Sequence, residues 1–272
     1  MAIRELLVHL DTTPATTHRL DLAIALAAKL GARLTGLFSV ADAHVQSLSS
    51  PSVAERLART AAGAEPAFRE RAAAAGVDAE WLSTISRDDV AAGRAVIYAA
   101  RTVDLAVLGQ FDPGTANGAV PPTLVEQAVM RSGRPVLVVP FAGTFGAVGK
   151  RVIIAWNGSR EAARALNDAL PMLAGAEEVT VLALSPSRVA VQSDAAGSSA
   201  IVRHLKAHGI EAAADRLVFK AREIDPAERL LSHLADYGAD LLVMGAWPRA
   251  GERNSLTTGV LARTTVPMLL SY

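Results

Sequence analysis

The chain of 272 residues has no cysteine. That absence excludes disulfides, thiolate nucleophiles and cysteine-ligated zinc, and it fits a cytoplasmic setting. Aromatic residues are scarce, at 4%, too few for the stacking platforms that bind single-stranded nucleic acid. Neither charge is in excess, with 27 Lys and Arg against 27 Asp and Glu. A general nucleic-acid binder needs surplus cations for its backbone contacts, so no such partner is expected. Long apolar runs are missing too. The opening MAIRELLVHLD carries charges inside its apolar stretch, unlike a signal peptide. The uncharged stretch 135–149 is broken by prolines and glycines and is too short to span a bilayer, so no membrane is expected. No G-x-S-x-G, H-E-x-x-H, Walker A or G-x-G-x-x-G motif occurs. No residues assemble a nucleophile, base and oxyanion hole, and none is assigned as catalytic.

What the chain does contain is written twice. RELLVHLDTT (4–13) is matched by RVIIAWNGS (151–159), each an apolar strand that stops at a polar residue, Asp11 or Asn157. VDLAVLGQ (103–110) is matched by ADLLVMGA (239–246), and RPVLVVP (134–140) by VPMLLSY (266–272). Landmarks repeated in the same order indicate duplication. Between the copies, FAGTFGAVG (141–149) is uncharged and glycine-rich, as a linker would be. Domains are therefore expected at 1–140 and 150–272. Within copy one, strands at 3–10, 33–40, 77–84, 103–109 and 135–139 alternate with helices near 14–30, 52–75, 89–101 and 122–132. Asp225-Pro226 is a good helix start for 226–237 in copy two, because Asp caps and Pro fits the first turn. Continuously apolar strands such as LAVL, LLVM and VLVV suit a sheet covered on both faces. The reading is α/β, with two tandem doubly wound parallel-sheet domains of Rossmann-like type. Such sheets bind ligands beyond the carboxyl ends of their strands, at the switch in strand order. Asp11, Asn157, Gly109 and Gly245 all fall there.

The strand ending in Asp, the DLLVMGA strand with its following loop and helix, and the PVLVV strand together resemble the universal stress protein family. Two copies in one chain resemble its tandem type. The resemblance covers nearly the whole sequence and implies binding rather than turnover. It implies that the residue after the first strand faces an adenine, here Asp11 and Asn157. It also implies a G-x2-G-x9-G-[ST] loop after the fourth strand that cradles phosphates. In copy two those places read Gly245, Pro248, Thr258 and Gly259, and only the first is kept. In copy one Gly109 is kept and Asp112 stands in the second place, where its charge would repel phosphate. Pro248 lacks an N–H and fixes φ near −65°. Thr257 and Thr258 can cap the next helix, whose free amides would still face an anion, with Arg249 and Arg253 to neutralise it. The candidate cofactor-binding set is Asn157, Leu184, Met244, Gly245, Arg249, Thr258, Gly259 and Val260 in copy two, with Asp11 in copy one. The competing bland readings are a polar strand end that caps a turn (Asp11), glycines that make turns, and solvated loop arginines.

Other features point to structure rather than chemistry. His204 and His208 share a helical face, but no third ligand is evident, and no metal is expected. His9 reads as a satisfied histidine of a buried strand. Asp88 and Asp89 read as helix caps. The expected function is a non-catalytic, stress-response regulator with a degenerate nucleotide site and no certain cofactor. The alternative is a regulator that binds ATP or another adenine nucleotide in domain 2, and a weak ATPase comes third. An unknown protein partner or small ligand is left open. The resemblance also implies dimers joined through the last strand. Here both last strands lie on one chain, so an intrachain pseudo-dimer through 135–140 and 266–272 is expected, with a further homodimer open.

Overall fold

The structure, a computed structural model, describes residues 2–41, 51–86, 88–115, 121–185, 191–218, 225–246 and 255–272. These fall into two compact units, residues 2–146 and 147–272. In the first unit the elements run β1 (Glu5–Leu10), α1 (Ala15–Leu30), β2 (Arg33–Ala41), α2 (Pro51–Ala74), β3 (Ala79–Ser86), α3 (Asp89–Ala100), β4 (Leu105–Gly109), α4 (Leu124–Ser132) and β5 (Val136–Val139). The second unit repeats the order with β6 (Arg151–Trp156), α5 (Arg160–Leu173), β7 (Glu178–Ser185), α6 (Val191–Ala207), β8 (Ala213–Val218), α7 (Pro226–Tyr237), β9 (Leu241–Gly245), α8 (Leu256–Arg263) and β10 (Met268–Ser271).

Among the described residues each unit carries five strands in the same order, β3-β2-β1-β4-β5 and β8-β7-β6-β9-β10. Their pairings within each unit are parallel. This is the α/β architecture expected from the alternating pattern. The central strands are apolar on both faces: Leu105 to Leu108 are fully buried, as are Leu241 to Val243. Right-handed crossovers put the helices after the first two strands on one face and the last two on the other. The direction of winding reverses at β1 and β4, and again at β6 and β9. A crevice therefore opens beyond the carboxyl ends of those strands.

Local chemistry sets the helix ends. Asp88 accepts the amide of Ala91 at 2.7 Å and caps α3. Asp225 accepts the amide of Ala227 at 3.0 Å and caps α7, with Pro226 in the first turn. Register fixes the correspondence between the units. Leu6 pairs with Leu105 in the first, and Val152 with Leu241 in the second. Asp11 and Asn157 thus each follow the last residue of equivalent strands.

Candidate functional site

In the first unit the strand-end carboxylate is buried and bonded within the chain. Asp11 is 4% exposed. Its Oδ1 accepts the Thr13 amide at 2.8 Å and the hydroxyls of Thr13 and Thr16, both at 2.6 Å. Its Oδ2 accepts from Arg19 Nη2 at 2.8 Å, an ion pair whose side chains are both almost fully buried. Arg19 comes from α1, eight residues on, and its Nε donates to the His9 carbonyl at 2.6 Å. His9 Nε2 lies 2.8 Å from the Ser39 carbonyl, so that nitrogen carries the proton. Its Nδ1 has no partner among the described residues. Burial, with Arg19 adding to it, lowers the His9 pKa to about 4, so the ring is neutral. Burial works against ionisation of Asp11, but Arg19 and the threonine bonds outweigh it, and its pKa falls to about 2. A carboxylate saturated in this way is a poor general base, since an effective one titrates near the working pH.

A small cavity lies beside this strand end. A cavity of about 100 Å³ is lined by residues including Thr13, Arg19, Gln110, Asp112 and Phe141. Typical ligand pockets hold roughly 300–1,000 Å³. Asp112 Oδ1 accepts the Gly114 amide at 2.8 Å, the hydrogen bond of a tight turn. The carboxylate beside the cavity would repel a phosphate.

The second unit builds the same edge from different residues. Asn157 is exposed, and its Oδ1 accepts the Ser159 amide at 3.0 Å. Eight residues on, the place of Arg19 is taken by Ala165, fully buried, and the place of His9 by Ala155. Ser159 caps α5 by accepting the Ala162 amide at 3.1 Å. Glu161 sits in the first turn of α5, mostly buried. Its own backbone amide, ahead of Arg160 and Ser159, holds its pKa below the usual carboxylate range against the opposing effect of burial. A carboxylate of the chain thus already faces that helix start. Arg160 lies over the Tyr272 ring, 5.0 Å from its centroid.

Gly245 ends β9 where an added Cβ would lie 2.5 Å from the Ala162 nitrogen and 2.7 Å from the Glu161 carbonyl carbon. Glycine is needed there because α5 crosses the strand end in backbone contact, with no reference to a ligand. Gly259 likewise lets α8 pack on α7, since a Cβ would lie 2.9 Å from the Ala227 Cβ. Met244 and Val260 are buried in the core, and Leu184 and Thr258 are half-buried. The helix start differs from expectation. Ser255, not Thr257 or Thr258, caps α8, its Oγ accepting the Thr258 amide at 3.2 Å. The Gly259 amide donates to the Ser255 carbonyl at 3.1 Å. The amides of Thr258 and Gly259 are therefore engaged. The reason is that Ser255, one residue before the helix, reaches the amide of the third helical residue, which a cap serves. Pro248, Arg249 and Arg253 lie outside the described residues. Sequence reasoning missed Arg19 and Glu161. A lone arginine on an apolar helix face, eight residues after a strand-end Asp, was the available signal for the first.

Of the other sequence readings, His204 and His208 do stack edge to face, with centroids 4.7 Å apart, and His204 Nε2 lies 3.3 Å from Asn167 Oδ1. Among the described residues no three His, Cys, Asp or Glu side chains converge as metal ligands, and no helix is long and apolar enough to cross a membrane.

Comparison with known proteins follows the same division. Residues 149–271 match the model of the universal stress protein family. A universal stress protein from Archaeoglobus fulgidus DSM 4304 aligns with 98% of this chain and 97% of its own, at 17% identity and a TM-score of 0.75. A putative universal stress protein from Pseudomonas aeruginosa UCBPP-PA14 covers 99% of this chain and 93% of its own, at 16% identity and a TM-score of 0.61. A universal stress protein solved in complex with cAMP aligns over 52% of this chain and all of its own, at 20% identity and a TM-score of 0.40. No curated protein sequence matches the chain.

Proposed function

We propose that this chain, whose residues 149–271 match the universal stress protein family and whose fold is that of a solved universal stress protein throughout, is a non-catalytic regulator. Its first ligand site is closed, and its second is reduced. The observation that carries this reading is the saturation of Asp11. The residue that would meet an adenine is sealed by Arg19, Thr13 and Thr16, next to a cavity below nucleotide size. The same saturation argues against Asp11 as the base of an ATPase, because a carboxylate whose pKa is lowered to about 2 is a poor proton acceptor.

The second reading is an adenine-nucleotide regulator that uses the second unit alone. One observation favours it: Asn157 is exposed, and an amide can both accept from and donate to a purine edge. The engaged amides at the start of α8 and the carboxylate of Glu161 oppose tight phosphate binding there. Calorimetry with ATP separates these readings. The primary reading gives no saturable heat at micromolar ATP. The second gives one ATP per chain, lost on Asn157→Ala. Two ATP per chain contradicts both. Mass spectrometry of small molecules released from natively purified, denatured protein then identifies any other ligand.

For assembly, the proposal is that the domains 1–140 and 150–272, joined by 141–149, form an intrachain pseudo-dimer through their last strands. Apolar strands such as 136–139 and 268–271 invite pairing when left at an edge, and tethering raises their effective concentration. Cysteines placed beside Leu137 and Leu269 should cross-link within one chain. Cross-linking only between chains would refute the pseudo-dimer. A cytoplasmic location agrees with the cysteine-free sequence.

A further inference from the structure

The solvent side of α3 carries a stripe that no internal contact explains. Val90, Arg94, Tyr98 and Arg101 recur at intervals of four, four and three residues, which places them on one face of the helix. All four are exposed, while Ala92, Gly93, Val96 and Ile97 point into the unit. Tyr98 is 72% exposed and Val90 60%, more than any other large hydrophobic side chain among the described residues. Arg101 Nη2 reaches the Arg131 carbonyl at the end of α4, at 3.4 Å, and Arg131 is exposed as well. Arg94, Arg101 and Arg131 have no ion-pair partner among the described residues. The carboxylates on this helix, Asp88 and Asp89, stand at its other end, and Asp88 is occupied as a cap.

An exposed tyrosine flanked by arginines without ion-pair partners has the composition of an interface core, where Tyr and Arg supply most of the binding energy. We propose that this stripe docks an acidic segment of a partner protein. Its carboxylates would pair with Arg94, Arg101 and Arg131, and an apolar side chain would lie against Val90 and Tyr98. Charge complementarity selects this occupant. A nucleic acid fits less well, because the stripe is only about 17 Å long at 1.5 Å per residue, it includes Val90, and the chain has no net positive charge.

The test uses a labelled amphipathic peptide of about 12 residues, the length that spans the stripe, with Glu and Leu at helical spacing. Fluorescence anisotropy against the full chain should show saturable binding that weakens with added salt. Tyr98→Ala and Arg94→Glu should each weaken it about tenfold or more. Arg203→Glu, the same charge change at an exposed site in the second unit, should leave it unchanged. Thermal unfolding of the parent and the variants should coincide, since none of the three side chains is buried. Absence of peptide binding overturns the proposal, as does binding that survives both α3 changes or falls equally with Arg203→Glu. Binding of a single-stranded RNA in place of the peptide, through Tyr98, also overturns it.

Discussion

At the end of β1 the first unit buries Asp11 against Arg19. At the end of β6 the second unit leaves Asn157 in solvent and puts Ala165 where the arginine would be. The strand order is the same in both units. The difference shows two ways of finishing the same strand end. One unit keeps the acid and satisfies it internally. The other removes the charge and fills the space with an apolar side chain. A buried ion pair and a well-packed apolar replacement can be similar in net stability, but removing half of a pair is costly.

That contrast gives the largest predicted effect. Arg19→Ala strands a buried carboxylate and should destabilise the first unit by about 3–5 kcal/mol. Adding Asp11→Asn, which recreates the second unit's pair, should recover most of the loss. Denaturant unfolding of the single and double variants checks this, and equal losses would break the comparison.

The next effect is the acid sensitivity that His9 and Asp11 give the first unit. His9 has an ordinary pKa of 6.5 and a folded value of about 4. Between those values the unfolded chain binds a proton that the folded chain does not. Stability from this group is therefore complete above about pH 6.5 and is lost as pH falls to about 4, on the order of 3 kcal/mol. Asp11, lowered from 3.8 to about 2, then withdraws its own contribution as pH falls through that lower window. The second unit has Ala155 and Asn157 at these places and lacks both terms. Unfolding followed from pH 7 to 4 should show the slope in the parent. His9→Gln, which keeps a donor for Ser39, should flatten it.

A smaller effect tests the second unit. Gly245→Ala pushes a Cβ into the backbone of α5 and should cost about 1–3 kcal/mol, as overpacking does. The loss should appear in unfolding of the second unit whether or not nucleotide is present. A variant as stable as the parent would mean that Gly245 serves the ligand and not the packing.

The duplication, the strand positions and the caps at Asp88 and Asp225 were legible in the sequence, because hydrophobic period and capping chemistry are local. The state of the site was not. Asp11 looks the same in sequence whether it faces an adenine or a guanidinium, and only the fold of α1 back along β1 brings Arg19 to it. Gly245 and Gly259 could be read as remnants of a phosphate loop, yet their contacts are helix packing across residues far apart in the chain. Ser255 as the α8 cap was hidden by the threonines that follow it.

Hydrogen exchange of the intact protein, with and without millimolar ATP, tests the central claim most directly. The account predicts no change in amide protection over residues 11–19 and 105–115, with any protection restricted to segments of the second unit around 155–162 and 255–262. ATP-induced protection of residues 11–19 would show that the Asp11–Arg19 pair opens to a nucleotide, and would contradict it.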